Sequence, residues 1–239
     1  MAEAETLTLA FVSSHPADAA RVLERLPGGD AAALFQHLPA RAAAPALAAM
    51  LPSAAARIVA ASDDAPALGL LAAVGVQAAV AILRHVPEPR RLRLVDGLST
   101  ATAVASRMLL GYPEDAAGAW ADPEYMALAP GTSTAEALAR VRGDPDVDAG
   151  EVYVVEEDRK LVGVVALQAL LRAPEATTLA ALMRRPAGTI PAIMPLSATA
   201  AQPGWQQSSV LPVVERGDRL VGILRQSAPE LIPELLIGP

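Results

Sequence analysis

Three groups of side chains in this 239-residue chain have the types and spacing that chemistry requires. Asp144, Asp146 and Asp148 stand at alternate positions, as the first three ligands of a calcium loop do. The pattern then fails: Ala149 occupies the place where the sharp turn needs glycine, and Val155 the place of the bidentate glutamate. A solvated loop is the better reading. The adjacent acids Glu114 and Asp115 could share acid–base work, but a neighbouring pair at a junction between elements more often caps a helix or makes hinge contacts. His15, His37 and His85 have no cysteine beside them to complete a metal set. His37 and His85 are 48 residues apart and both precede a boundary, so one packing role repeated serves them better than catalysis. No nucleophile elbow, zinc-protease pair, phosphate loop or dinucleotide fingerprint occurs, and no catalytic residue is assigned.

A further group of positions follows a sequence built twice. Residues 154–163 read VVEEDRKLVG and residues 213–222 read VVERGDRLVG, identical at six of ten positions. The residues after each copy, VVALQA and ILRQSA, decide whether the duplicated unit keeps a ligand.

Composition limits what can surround these groups. Hydrophobic residues make up 53% of the chain, enough for one large or two ordinary cores. Aromatic residues make up 3%, so packing has to rely on many small contacts between alanine-rich helices. A net charge of −7 argues against a nucleic-acid surface, which needs clustered lysine and arginine. Cations or basic partners suit it better. Without cysteine there are no disulfides and no thiolate metal sites, compatible with a reducing cytoplasm. The start MAEAETLTLAFVSSHP lacks the basic region and apolar core of a secretion signal.

Residues 65–83, APALGLLAAVGVQAAVAIL, carry no charge and approach the roughly 20 residues of a bilayer-crossing helix. A repeat running through them argues otherwise. Leu26, Leu38, Leu51, Val74, Val86, Leu98 and Leu110 recur at steps of 12, 13, 23, 12, 12 and 12, each followed by Pro, Gly or Ser. The step of 23 is a double one, and Ser62-Asp63-Asp64 supplies the turn inside it. Each unit then holds one helix of about 8–10 residues, roughly 15 Å long and too short to span a membrane. The uncharged stretch reads as a buried pair of short helices, with no direct membrane insertion. Residues 15–110 are expected to form a stacked helical array, with Pro16, Pro27, Pro39, Pro52 and Pro87 at helix boundaries.

The array ends in MLLGYPEDAAGAWADPEYMAL. Its YPED-x-x-G junction, Tyr112, Pro113, Glu114, Asp115 and Gly118, resembles the one that closes the intracellular N domain in the MgtE family of magnesium transporters. Ala116 and the run Ala119-Trp120-Ala121 depart from that family's usual residues.

Beyond the junction, YMALAP reads as a strand, Ser133-x-x-Glu136 as a capping box opening a helix, EVYVVEE and KLVGVVAL as a hairpin, and LQALLR as a closing helix. The second copy runs GTIPAIMPL, a weak helix broken by Pro203-Gly204, VLPVVE, the turn RGD, LVGILR and SAPELIPELL. Two tandem β-α-β-β-α units resemble a CBS pair, which follows the N domain in the MgtE family. The fold expectation is therefore α+β: an all-α stack of short helices over residues 1–118, a CBS-like unit over 119–182 and a degenerate one over 183–239.

The resemblance also identifies the ligand positions. CBS pairs that bind adenine nucleotides follow the last strand with glycine, a hydroxyl residue three places on for phosphate, and an acid three further for the ribose. Here the hydroxyl places hold Ala166 and Arg225, and the acid places hold Ala169 and Ala228. Ordinary ATP or AMP binding is not expected, since each missing contact forfeits on the order of 1–3 kcal/mol. Arg225 retains the means to meet a phosphate, against the alternative of a solvated or dimer-facing side chain.

What the resemblance implies is a cytoplasmic regulatory or scaffold protein, a homodimer through the CBS pair, with a membrane transporter as a possible partner. The alternative is a Mg²⁺-responsive accessory subunit. Mg²⁺ is a possible ligand, because carboxylates of N domain, CBS pair and connecting helix share it in the family. Residues 65–87 contain no acid to match, and no connecting helix or membrane domain follows Pro239, so conduction by this chain alone is not expected.

Overall fold

The structure, a computed structural model, describes residues 2–144 and 150–226. It forms two compact units that divide between Gly111 and Tyr112.

The first unit is all helix: α1 (Ala2–Ser14), α2 (Pro16–Leu23), α3 (Gly28–Gln36), α4 (Ala40–Ala48), α5 (Pro52–Ala61), α6 (Asp64–Ala73), α7 (Val76–Arg84), α8 (Glu88–Gly97) and α9 (Thr100–Leu110). From α2 to α7 each helix packs on the one two further along, so alternate helices form two rows. The core between them is rich in alanine, including Ala31, Ala43, Ala46, Ala55 and Ala79, with Leu47, Leu71 and Leu83 wholly enclosed. Small side chains let short helices approach closely, and the ends of α2 to α9 fall where the repeat predicts a turn.

The boundary prolines behave as expected. Pro16 and Pro52 open α2 and α5, and Pro27, Pro39 and Pro87 sit at the residues preceding α3, α4 and α8. Pro45 differs. Helix α4 starts at Ala40 and runs through it, so the flanking alanines propagate a helix that gives up one backbone hydrogen bond. Within the uncharged stretch, α6 and α7 are separate helices of 10 and 9 residues. Gly75 parts them at φ 83°, a left-handed conformation that favours glycine. Among the described residues no helix is long and apolar enough to cross a membrane.

Arginines and one glutamate fasten the turns. Arg90 bonds Asp64 and the Ser62 carbonyl, holding the polar turn that opens α6. Arg84 donates to the Leu109 carbonyl at 2.7 Å and so satisfies an end of α9. The Glu24 carboxylate accepts the Leu51 N–H at 2.6 Å, at the start of α5.

Among the described residues the second unit holds two three-stranded sheets. The first comprises β1 (Ala127–Leu128), β2 (Glu151–Val155) and β3 (Leu161–Ala166), accompanied by α10 (Thr134–Gly143), α11 (Leu167–Arg172) and α12 (Leu179–Leu182). The second comprises β4 (Ile190–Pro191), β5 (Val210–Val214) and β6 (Leu220–Arg225), with the one-turn α13 (Leu196–Thr199). In each the first pairing is parallel and the second antiparallel. The period of two divides the strands between two cores. Val152, Val154 and Val165 meet Leu170 and Leu179 of the helices. Tyr153, Leu161 and Val164 meet Val214, Leu220 and Ile223 of the other sheet.

The repeated decapeptide is the hairpin of each sheet. Its turn needs two left-handed residues, supplied by Asp158 and Arg159 in the first copy and by Gly217 and Asp218 in the second. Lys160 and Arg219, which correspond in the two copies, pair with each other, and the Leu161 N–H reaches the Asp218 carbonyl at 2.9 Å.

Candidate functional site

Each strap that leads into one sheet is bound by the other. Asp122, five residues before β1, exchanges hydrogen bonds with Ile223 of β6 at 2.7 and 2.9 Å. Arg184, six residues before β4, does the same with Val164 of β3 at 2.9 Å in both directions. The glycine that ends each decapeptide makes room for this exchange. A Cβ on Gly222 would stand 2.6 Å from the Asp122 carbonyl oxygen, and one on Gly163 would stand 3.0 Å from Met183 and 3.1 Å from the Arg184 carbonyl oxygen. The glycine that closes LVG in both copies therefore has a steric cause. The repeat itself carried that signal, although the straps it serves could not be read from it.

The junction residues pack within this second unit. The Tyr112 ring lies over Gly118, where a Cβ would approach it to 2.8 Å, and its hydroxyl donates to Glu215. Burial, and next the Glu215 carboxylate, push the Tyr112 phenol well above its ordinary range. Asp115 accepts the Leu196 N–H through its carbonyl at 2.7 Å, and the Ala117 and Gly118 N–H groups reach the Met194 and Ala192 carbonyls at 2.8 and 2.7 Å. The Trp120 indole donates to the Glu114 carbonyl at 2.6 Å. The carboxylates of Glu114 and Asp115 face solvent with Pro113. This stretch makes its contacts through backbone, ring and glycine rather than through paired acids.

The ligand positions sit at the ends of the last strands. In the first copy Ala166 ends β3 and precedes α11, and Ala169 lies inside that helix. Neither carries a hydroxyl or a carboxylate. In the second copy β6 ends at Arg225, while Ala228 lies outside the described residues. A cleft of about 390 Å³ opens there, lined by Glu151, Tyr153, Gln207, Ser208, Ser209 and Arg225 among others. Its charged groups are neutralised within the chain. Arg184 pairs with Glu151, and Arg225 lies 3.7 Å from Asp122. The Arg225 guanidinium is turned to the strap that β6 binds.

The remaining candidates divide simply. His37 and His85 both stand at the residue closing a helix, α3 and α7, and both are exposed. His15 precedes α2 and lies beside the Phe11 ring, with centroids 6.1 Å apart. Asp144 closes α10, whereas Asp146, Asp148 and Ala149 lie outside the described residues. Among the described residues no three acids or histidines are grouped to hold a metal ion. Ser133 accepts the Glu136 N–H at 3.2 Å, the capping contact expected at the start of α10.

Comparison with known proteins accounts for both units. The MgtE intracellular N domain matches residues 14–115, and the CBS domain matches residues 117–176. The magnesium transporter MgtE of Thermus thermophilus is 34% identical over 134 residues, which are 55% of this chain and 30% of that protein. The match thus spans under a third of the transporter's length. A crystal structure of the cytosolic domain of the Mg²⁺ channel MgtE, in complex with ATP, superposes with a TM-score of 0.81 at 27% identity, over 95% of this chain and 93% of that one. The soluble part of a magnesium transporter superposes with a TM-score of 0.68 at 18% identity over the full length of both, a likeness of fold. The chain carries an MgtE N domain followed by a CBS-type region, and it is homologous to the cytosolic domain of MgtE.

Proposed function

We propose that this homologue of the MgtE cytosolic region is a non-catalytic regulatory or scaffold component of a magnesium transport system. It works in the cytoplasm, as a homodimer through the CBS-type pair, with a membrane transporter as its partner. The observation that carries the reading is the joint likeness of both units, in their order along the chain, to the cytosolic domain of a Mg²⁺ channel. An intact hydrophobic framework beside substituted ligand positions supports an interface role. Tyr112 and Gly118 act as the docking elements of the junction, with Pro113, Glu114 and Asp115 at its solvent side.

The related channel domain was crystallised with ATP. In this chain Ala166, Ala169 and Arg225 remove the hydroxyls and the acid through which CBS pairs ordinarily hold a nucleotide, so the pair no longer reads adenine nucleotides. Loss of two such contacts, on the order of 1–3 kcal/mol each, takes a micromolar affinity toward the millimolar range.

A Mg²⁺-responsive accessory subunit is the second reading, favoured by the same likeness to a Mg²⁺ channel. Small-angle scattering with and without millimolar Mg²⁺ separates the two. A scaffold keeps one profile, and a responsive subunit changes its profile in a saturable manner. For the transport link itself, cells lacking the gene should differ from the parent in Mg²⁺ content or Mg²⁺ requirement. Identical content and growth across Mg²⁺ concentrations would refute that link.

A further inference from the structure

The outer edge of the first sheet carries a cleft with one kind of charge. Strand β1 lies at that edge, in the order β1-β2-β3, and no element among the described residues pairs with its other side. The Met126 carbonyl accepts the Tyr153 N–H at 2.8 Å, so the alternation of a strand turns the N–H and C=O of Ala127 away from β2. Where β1 and β2 end, a cleft of about 650 Å³ opens, within the roughly 300–1,000 Å³ of ligand clefts in general. Leu128, Ala129, Pro130 and Val155 give it apolar walls, and Glu156 and Glu157 stand at its end. Both glutamates are exposed, and among the described residues neither carboxylate has a hydrogen-bond or ion-pair partner. The cleft beside Arg225 lies at the opposite end of β2, against Gly150 and Glu151.

Charge divides unevenly between the two units. The first holds nine acids and nine bases, and the second holds 17 acids and 10 bases, so the whole net charge of −7 belongs to the second. We propose that the β1 edge and this cleft dock an extended basic segment of a partner protein. The segment adds a strand beside β1, lays apolar side chains along Leu128 and Val155, and sets a lysine or arginine against Glu156 and Glu157. Strand addition satisfies the outward N–H and C=O of Ala127, while the walls and the carboxylates do the selecting. Strand β1 has only two residues and Pro130 soon follows, so few main-chain bonds form and affinity leans on the charges. A hydrated metal ion gains nothing from apolar walls, and a small organic cation gains nothing from a strand edge. Short cytoplasmic loops of membrane proteins are rich in lysine and arginine, so a membrane transporter presents such segments. That source rests on the function proposed above, whereas the chemistry of the cleft does not.

The test uses the whole chain and a fluorescein-labelled hexapeptide of alternating valine and arginine, followed by anisotropy. The variant Glu156→Gln/Glu157→Gln keeps the backbone bond from the Glu156 N–H to the Lys160 carbonyl, so the hairpin persists. An exposed ion pair is worth up to about a factor of five, so the double variant should bind the peptide about tenfold more weakly than the wild type. Added salt should weaken the wild type more than the variant. A peptide methylated on its backbone nitrogens cannot donate to the edge and should bind at least about fivefold more weakly than its parent. Amide exchange of residues 126–129 should slow when the parent peptide binds. Equal binding by wild type and double variant, equal binding of the methylated peptide, or exchange unchanged at 126–129 would overturn the proposal. Spermine competing as tightly as the peptide would overturn it in favour of a small cation. Slowed exchange at 126–129 on raising protein concentration alone would overturn it in favour of a second copy. A wild type indifferent to the peptide, in cells whose Mg²⁺ content still depends on the gene, defeats the docking alone. Peptide binding without any effect of the gene on Mg²⁺ defeats the transport link alone.

Discussion

Replacing Gly222 by alanine should loosen one strap while leaving the strand it crosses intact. The added Cβ would stand 2.6 Å from the Asp122 carbonyl oxygen and 2.9 Å from the Ala121 Cβ, distances at which backbone has to move. Moving the strap breaks the Asp122–Ile223 exchange, two hydrogen bonds of 2.7 and 2.9 Å. At about 1 kcal/mol each, with about 1–3 kcal/mol of overpacking for whatever does not move, the loss is roughly 3–5 kcal/mol. The corresponding Gly163→Ala should be milder, about 1–2 kcal/mol, because its nearest contacts stand at 3.0–3.1 Å and one of them is the mobile end of the Met183 side chain, Sδ. Gly131→Ala meets nothing within 4 Å and should stay within about 0.5 kcal/mol of the parent. Hydrogen exchange resolved by segment suits the question, since a chain of two compact units need not unfold in one step. Residues 119–124 should open at least about 30-fold more often in Gly222→Ala. Unchanged protection there, or a greater effect at Gly163, would refute the steric account of the repeated glycine.

Tyr112→Phe removes the hydroxyl donated to Glu215 and should destabilise the second unit by about 1 kcal/mol, measured by urea titration. Because burial and then Glu215 hold this phenol above its ordinary value, its contribution is complete below about pH 10 and is lost as pH rises through the folded-state value. Wild-type stability should therefore fall more steeply above pH 10 than that of the phenylalanine variant. Ser106 is wholly buried on α9 and its hydroxyl finds no partner among the described residues, so Ser106→Ala should leave the thermal midpoint unchanged or raise it. A fall corresponding to more than about 1 kcal/mol would show that the hydroxyl is bonded. Ala166→Thr with Ala169→Asp restores a hydroxyl and an acid at the end of β3 and within α11, and should strengthen AMP binding on the order of 100-fold by calorimetry. No gain would mean that the first cleft is closed for reasons other than those two side chains.

What could be read in advance depended on whether a signal was local. Turn residues at twelve-residue steps fix where α3 to α9 end, because Pro and Gly act on the backbone at their own positions. Alternating apolar residues and a turn locate the β2–β3 and β5–β6 hairpins, since each pairs segments only a few residues apart. Helix α1 precedes the first repeat signal, and the four-residue α12 has no side-chain cap to announce it. The strap exchange joins Asp122 to Ile223, about a hundred residues apart, and nothing local specifies such a pairing. Its trace in the sequence is the glycine shared by both decapeptides. Arg225 was legible as a departure from the nucleotide pattern, whereas its turn toward Asp122 depended on that same exchange.

Titration of ATP into the wild-type chain by calorimetry, at protein concentrations that resolve micromolar binding, bears most directly on the idea that this is an interface module with substituted ligand positions. No saturable heat is the result predicted by alanine at residues 166 and 169 and a strap-engaged arginine at 225. A stoichiometric isotherm with a micromolar dissociation constant would contradict it.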